Sequence, residues 1–209
     1  MPTLYTMPGT CSLAPNIAVA WEGADIKIHN LKRGEHKEAD YLAINPRGQV
    51  PAVKFNDGDV LTEAVAILHW IGGLNADDGF EADSALARKE LEALSYMSSE
   101  VHATYGPHFA PQGFAESDPA QDEVKEKTYA KLADHYTRMD ETLAASDGDW
   151  YLGHRSFADA YLYVLTRWID MTPLSISNFP SLEAHRDMMD RDEGVQTALS
   201  RQNMKPINP

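Results

Sequence analysis

A change of pattern close to residue 76 constrains the fold of this chain more than any other feature. Before it, short alternating runs are punctuated by turn signals; after it, no strand pattern survives. Thr3–Met7 reads as a strand stopped by Pro8-Gly9. The helix that follows is expected to take Ser12 as its N-cap, because Pro15 then falls in the first turn, where its missing N–H costs nothing. Leu13, Ile17 and Ala20/Trp21 form its apolar stripe, and Gly23 stops it. A weakly alternating strand covers Ile26–Leu31, and a polar helix or loop runs from Lys32 to Ala43. Asn45-Pro46-Arg47-Gly48-Gln49-Val50-Pro51-Ala52-Val53 then turns into a strand with a proline near its start, which means an edge, a bulge or a cis bond. Val53–Phe55, Asn56-Asp57-Gly58 and Val60–Leu61 suit a hairpin, and Thr62-Glu63-Ala64 opens a helix ending at Gly72-Gly73. The order β-α-β-α-β-β-α predicts a small α/β layer on one mixed sheet.

Residues 76–83 are acidic and aperiodic, which suits a linker between domains at 1–75 and 84–209. Helical patterns follow at Ser84–Phe109, Asp118–Ala145, Phe157–Met171 and Ser181–Arg191, with a short Gly194–Arg201 turn of helix. The expected fold class is therefore an α/β N-terminal domain plus an all-α C-terminal domain.

Composition narrows function mainly by exclusion. A net charge of −14 disfavours nucleic acid and anionic membrane surfaces. Most of it, −10, lies after residue 80, spread along helical faces. A small anionic ligand would need a local positive site, which directs attention to helix N-termini and the few basic residues. The start of the sequence shows no basic segment followed by an apolar run, and no stretch approaches 18 apolar residues, so cytosol is the default expectation. The eight histidines lack a His-Glu-x-x-His pattern, so no metal is expected. There is no phosphate-cradling glycine loop and no Gly-x-Ser-x-Gly elbow.

Cys11 is the only cysteine. It follows a turn and precedes a helix, where unpaired N–H groups favour thiolate or another anion. It could equally be a small buried hydrophobe, as lone cysteines usually are.

Tyr5, Cys11-Ser12, Asn45–Ala52, Leu61-Thr62-Glu63 and Ser156-Phe157-Ala158-Asp159-Ala160 occur in an order that resembles the cytosolic glutathione transferases, most closely the bacterial beta class. The resemblance spans essentially the whole chain. It implies a thioredoxin-like N-terminal domain, a helical domain forming the electrophile side of the site, a cytoplasmic homodimer, and a detoxifying transfer of the glutathione thiol to small hydrophobic electrophiles. Glutathione is then a co-substrate, with no metal.

On the same resemblance Pro51 is cis, and Val50 exchanges main-chain hydrogen bonds with the cysteinyl part of glutathione. Glu63 and the Ala64 amide hold the γ-glutamyl end. Ala64 stands where the family commonly has serine, so a hydroxyl contact is lost. Lys32, Arg33 or Lys37 reaches the glycine carboxylate, with Lys32 and Arg33 preferred. His102, in the run Ser99-Glu100-Val101-His102, lies beside the glutathione thiol, and Ser95 stands at the place of a ligand-contacting asparagine. Cys11, Ser12 and His102 are the catalytic candidates. Tyr5 matches a thiol-activating tyrosine of other classes, although strand packing is its favoured reading. Tyr105, Phe109, Trp168 and Met171 are candidate walls for the electrophile. The Ser156/Asp159 pair has the spacing of a capping box, a folding device rather than a site. Two other functions fit the resemblance: thiol–disulfide exchange or peroxide reduction with Cys11 as nucleophile, and ligand binding without catalysis.

Overall fold

The computed structural model describes residues 1–74, 84–146 and 148–208; the linker expected at 76–83 lies outside the described residues. Four short strands form one mixed sheet in the order β2-β1-β3-β4: β1 (Thr3–Thr6), β2 (Lys27–Asn30), β3 (Ala52–Lys54) and β4 (Val60–Thr62). β1 runs parallel to β2 and antiparallel to β3, with Tyr5 opposite both His29 and Ala52. β3 and β4 are the expected hairpin, antiparallel with Val53 opposite Leu61. Gly58 takes φ +99° in its turn, a region open to glycine at little cost. The region read as a polar helix or loop resolves into a 3₁₀ turn, Glu35–Lys37, and one turn of helix, α2 (Ala39–Leu42).

The chain divides into two compact units, residues 1–91 with 189–209 and residues 92–188. In the first, α1 (Leu13–Trp21) and α3 (Ala64–Gly72) pack against the sheet. Leu4, Ile17, Val53, Ile67, Leu68 and Ile71 are fully buried there, each burial stabilising by about 1.5–3 kcal/mol. Pro15 sits in the first turn of α1, as its position predicts.

The C-terminal helix α9 (Glu193–Arg201) belongs to this unit, where polar groups of α1 bond to it and to its N-cap Asp192. Buried Asn16 donates to the Ala198 carbonyl at 3.2 Å and accepts from the Arg201 guanidinium at 3.2 Å. The Trp21 indole donates to Asp192 at 2.7 Å, and the same carboxylate oxygen caps α9 by accepting from the Val195 amide. A Cβ at Gly194 would collide with the Trp21 ring.

The second unit is helical. The pattern read as one helix over 84–109 is broken: α4 (Ala85–Tyr96) passes into a π-helical segment, Met97–His102, and then α5 (Gly106–Phe109). Pro107 forces the second break, since it cannot donate to the preceding turn. α6 (Asp118–Ala144) is one long helix, and α7 (Phe157–Trp168) is the buried one. α7 starts at the expected capping box: Asp159 accepts from the Ser156 amide and hydroxyl, both at 2.9 Å. The other carboxylate oxygen of Asp159 accepts from the Tyr151 amide at 2.8 Å and pairs with buried His185 at 3.0 Å. His185 lies on α8 (Pro180–Arg191). A fully buried carboxylate so enclosed fixes where α7 begins.

Candidate functional site

Within the first unit, the turn between β1 and α1 is held by its own hydroxyls. The Met7 amide donates to Ser12 Oγ at 2.9 Å, and the Met7 carbonyl accepts from Thr10 Oγ1 at 2.8 Å. The two hydroxyl oxygens lie 2.7 Å apart. Ser12 is fully buried, and although it occupies the N-cap position its side chain caps no amide of α1. The expected cap bond is replaced by this work inside the turn.

Cys11 is buried, with Sγ 3.7 Å from the Val50 carbonyl oxygen. Burial pushes its thiol up to about 12 and outweighs the lowering contributed by a backbone hydrogen bond; the nearby Glu63 charge raises it further. The thiolate expected beside the helix N-terminus is thus disfavoured, and Cys11 is a neutral S–H donor.

Val50 owes its placement to a brace on the preceding carbonyl. Gln49 O accepts from Tyr41 Oη at 2.7 Å and from Asn45 Nδ2 at 2.8 Å. Burial raises the Tyr41 phenol to about 12, which keeps it a donor. Asn45 also accepts from the Arg47 amide at 3.2 Å, and its carbonyl takes the Gly48 amide at 2.8 Å. Gly48 stands at φ +59°, where a Cβ would lie 2.7 Å from the His36 carbonyl oxygen, so no other residue fits this turn without backbone movement. The Val50–Pro51 bond is cis, as the resemblance implies. The Val50 N–H has no partner among the described residues and is available for strand-like exchange with a peptide.

Charges flank this segment on both sides. Lys37 Nζ lies 3.1 Å from where a Gly48 Cβ would be, so its ammonium rests against the turn. Lys32 and Arg33, the preferred choices from sequence, are exposed with no such contact described, and the Lys32 amide donates to Glu35 at 2.8 Å. Glu63 precedes α3 at φ +70°, and its carboxylate pairs with Arg47 at 2.9 Å. Neither Lys37's position nor the Arg47 pair follows from sequence spacing; Arg47 was visible only as part of the Asn45–Ala52 run. Ala64, the first residue of α3, has only its amide to offer a ligand. Tyr5 packs its ring between His29 and Tyr41, with centroids 5.1 and 5.5 Å away.

In the second unit, His102 ends the π-helical segment. Its Nδ1 lies 2.7 Å from Tyr161 Oη, and its ring sits 4.8 Å from that of Trp168. Ser95 and Ser99 are exposed one turn apart, joined by a bond from Ser99 Oγ to the Ser95 carbonyl at 2.8 Å. Phe109 is 48% exposed and stands edge-on to Trp168 at 5.2 Å. Met171 is equally exposed. Tyr105, by contrast, is fully buried and donates to Tyr136 at 2.6 Å, which passes the bond on to the Leu165 carbonyl. It is core beneath Phe109 rather than a wall, and burial raises its phenol well above the ordinary range.

Among the described residues, no group of three or more His, Cys, Asp or Glu side chains could hold a metal ion, and no helix is long and apolar enough to cross a membrane.

A thioredoxin-like α/β unit with its cysteine at the first β-α turn, followed in sequence by an all-helical unit, defines the architectural class. Residues 2–73 match the glutathione S-transferase N-terminal domain, and residues 95–193 match the C-terminal domain. The glutathione S-transferase GstA of Escherichia coli O157:H7 is 32% identical over 208 residues, covering 97% of this chain and 99% of that protein. A sphingomonad glutathione S-transferase solved in complex with glutathione is similar at TM-score 0.84 and 33% identity, covering 96% of this chain and 98% of that one. The bacterial beta class enzyme of Sphingomonas chungbukensis has TM-score 0.84 and 29% identity, with 97% and 99% coverage. The chain belongs to the glutathione S-transferase family.

Proposed function

We propose that this protein transfers the thiol of glutathione to small hydrophobic electrophiles, as a cytoplasmic homodimer in a detoxifying role. One observation carries the glutathione half of the reading. A buried S–H donor, the unpartnered Val50 amide and charged groups on either side lie along a single braced segment of the first unit. A γ-linked tripeptide with a central thiol and charged ends is complementary to that order. Val50 pairs with its cysteinyl backbone, Glu63 and the Ala64 amide take its γ-glutamyl end, and Lys37 takes its glycine carboxylate in preference to Lys32 or Arg33. Residues 1–75 supply this half and the helices of the second unit supply the electrophile half; residues 189–209, read from sequence as part of the 84–209 domain, pack in the first unit instead. In the second unit Phe109 and Met171 offer exposed apolar surface, Trp168 lies buried edge-on to Phe109, and Ser95, Ser99 and His102 are the residues assigned to the ligand.

In this reading the reactive sulfur belongs to the ligand. Cys11, uncharged at neutral pH, turns its one S–H from the Val50 carbonyl to the glutathione thiolate, and the helix N-terminus favours the same anion. Ser12 contributes by fixing the turn. The same burial argues against Cys11 as a redox nucleophile in the resting protein, since attack needs the thiolate.

The test is calorimetric titration with glutathione, followed by conjugation to a chlorinated nitrobenzene by the unsubstituted protein and by Cys11→Ala. Glutathione binds, and the variant keeps conjugation to within about tenfold, the scale of one hydrogen bond. No measurable glutathione affinity refutes the reading. Loss of disulfide reduction with full conjugation would assign Cys11 a separate redox activity, and binding without turnover across an electrophile panel would leave a carrier.

A further inference from the structure

The Arg47–Glu63 pair contributes little to stability, yet both partners are held by unusual backbone. They lie 2.9 Å apart with side chains 63% and 64% exposed, and an ion pair that open to water is weak. Arg47 stands on the turn braced by Asn45 and by left-handed Gly48. Glu63 itself has φ +70°, a conformation non-glycine residues adopt at a cost and keep where function requires it. The pairing uses one guanidinium nitrogen and one carboxylate oxygen. The other guanidinium donors and the other oxygen have no partner among the described residues.

We propose that Arg47 is a specificity-determining residue of the glutathione site: its guanidinium takes the α-carboxylate of the γ-glutamyl end while Glu63 takes the α-ammonium. This rests on the transferase reading above and extends it. A free α-amino acid carries its two opposite charges on one carbon, so it is complementary to a cation and an anion already set side by side. On ligand binding each partner exchanges a weak exposed contact for a charge-assisted one, and Arg47 offers its fork to a carboxylate. Ala64 has no side-chain donor for that carboxylate, which leaves the α3 amides and Arg47 to hold it. In a chain of net charge −14, a ligand with two carboxylates needs such local cations, and Lys37 at the other end of the segment is the second.

The preference that follows is for thiols bearing an intact α-amino acid. Three tripeptides separate the contributions: glutathione, the analogue with 4-aminobutyryl in place of γ-glutamyl (no α-carboxylate), and the glutaryl analogue (no α-ammonium). Their affinities are measured by calorimetry for the unsubstituted protein, Arg47→Gln, Arg47→Lys and Glu63→Gln, with thermal unfolding of each as a check on folding. Arg47→Gln weakens glutathione about tenfold or more, as loss of a hydrogen bond to a charged group does, and changes the 4-aminobutyryl analogue less than twofold. Arg47→Lys recovers part of the loss. Glu63→Gln shows the reverse selectivity, sparing the glutaryl analogue. Equal weakening of glutathione and the 4-aminobutyryl analogue would overturn the assignment, because Arg47 would then act only by aiming Glu63. Unchanged or tighter glutathione binding would overturn it as well. If the unsubstituted protein binds no glutathione, the failure lies with the transferase reading, and this assignment falls with it.

Discussion

Ionisation of Cys11 offers the sharpest test of how the site distributes its chemistry. Burial moves the thiol from an ordinary 9.0 to about 12. That is about three orders of magnitude in thiolate at neutral pH, or on the order of 4 kcal/mol disfavouring the anion. Cys11 is the only cysteine, so iodoacetamide labelling followed by intact mass reports on it alone. At pH 7.5 the native protein is labelled at no more than about a thousandth of the rate of the same chain in denaturant. Restricted access also slows labelling, but it scales the rate equally at every pH, whereas ionisation sets where the rate stops rising. The logarithm of the native rate therefore climbs with unit slope from pH 7 to 10 with no plateau. A plateau at or below pH 8 would show a stable thiolate and refute the reasoning, restoring Cys11 as a resting nucleophile. Stability carries the same signature. The folded-state pKa exceeds the unfolded one, so this contribution is complete below pH 9 and is lost as pH rises toward about 12. Urea unfolding of Cys11→Ala accordingly shows a flatter decline over that window than the unsubstituted protein.

Three further outcomes follow from the geometry. Gly48→Ala forces a Cβ to within 2.7 Å of the His36 carbonyl at φ +59°, and is expected to cost about 1–3 kcal/mol in urea unfolding; an unchanged midpoint would mean that this turn is not rigid. Asp159→Ala removes the acceptor for the Tyr151 and Ser156 amides and the partner of buried His185, so thermal unfolding should show a loss of about 3–5 kcal/mol, and a loss under 1 kcal/mol would refute its role in fixing α7. Lys37→Ala raises the KM for glutathione by about tenfold while Lys32→Ala leaves it within twofold, because only the Lys37 ammonium rests on the Gly48 turn; the opposite ranking would return the glycine carboxylate to Lys32.

Local punctuation made much of the fold legible. Pro8-Gly9, Pro15 and Asn56-Asp57-Gly58 act over a few residues through fixed backbone preferences, and β1, α1 and the β3–β4 hairpin lie where they indicate. Ser156 and Asp159 are likewise separated by one helical turn, and the box forms. Features that join distant residues were not readable in this way. Asn16 and Arg201 are 185 positions apart, so nothing in either neighbourhood announces that α9 completes the first unit. The π-helical segment keeps its buried residues, Met97 and Val101, at spacings that also suit an α-helix, which hid it within a continuous pattern. Lys37 could not be told from Lys32 or Arg33, because the choice depends on how a 3₁₀ turn folds over Gly48.

The thiolate expected at Cys11 and the cap bond expected from Ser12 are absent for one shared reason. A residue's place beside a helix N-terminus is visible in sequence, but its depth is not. Depth decides whether the N-terminal field or desolvation controls ionisation. At this depth, desolvation raises the Cys11 thiol despite its position, and the Ser12 hydroxyl is turned inward to Met7 and Thr10. A site that holds its own sulfur neutral leaves the N-terminal field available to another anion placed there. In the transferase reading that anion is the ligand thiolate, placed near the Cys11 donor while the Val50 amide pairs with the ligand backbone. If Cys11 is the donor proposed above, the burial that disfavours its thiolate is what keeps its proton in place, and the same burial counts against disulfide exchange by the resting protein.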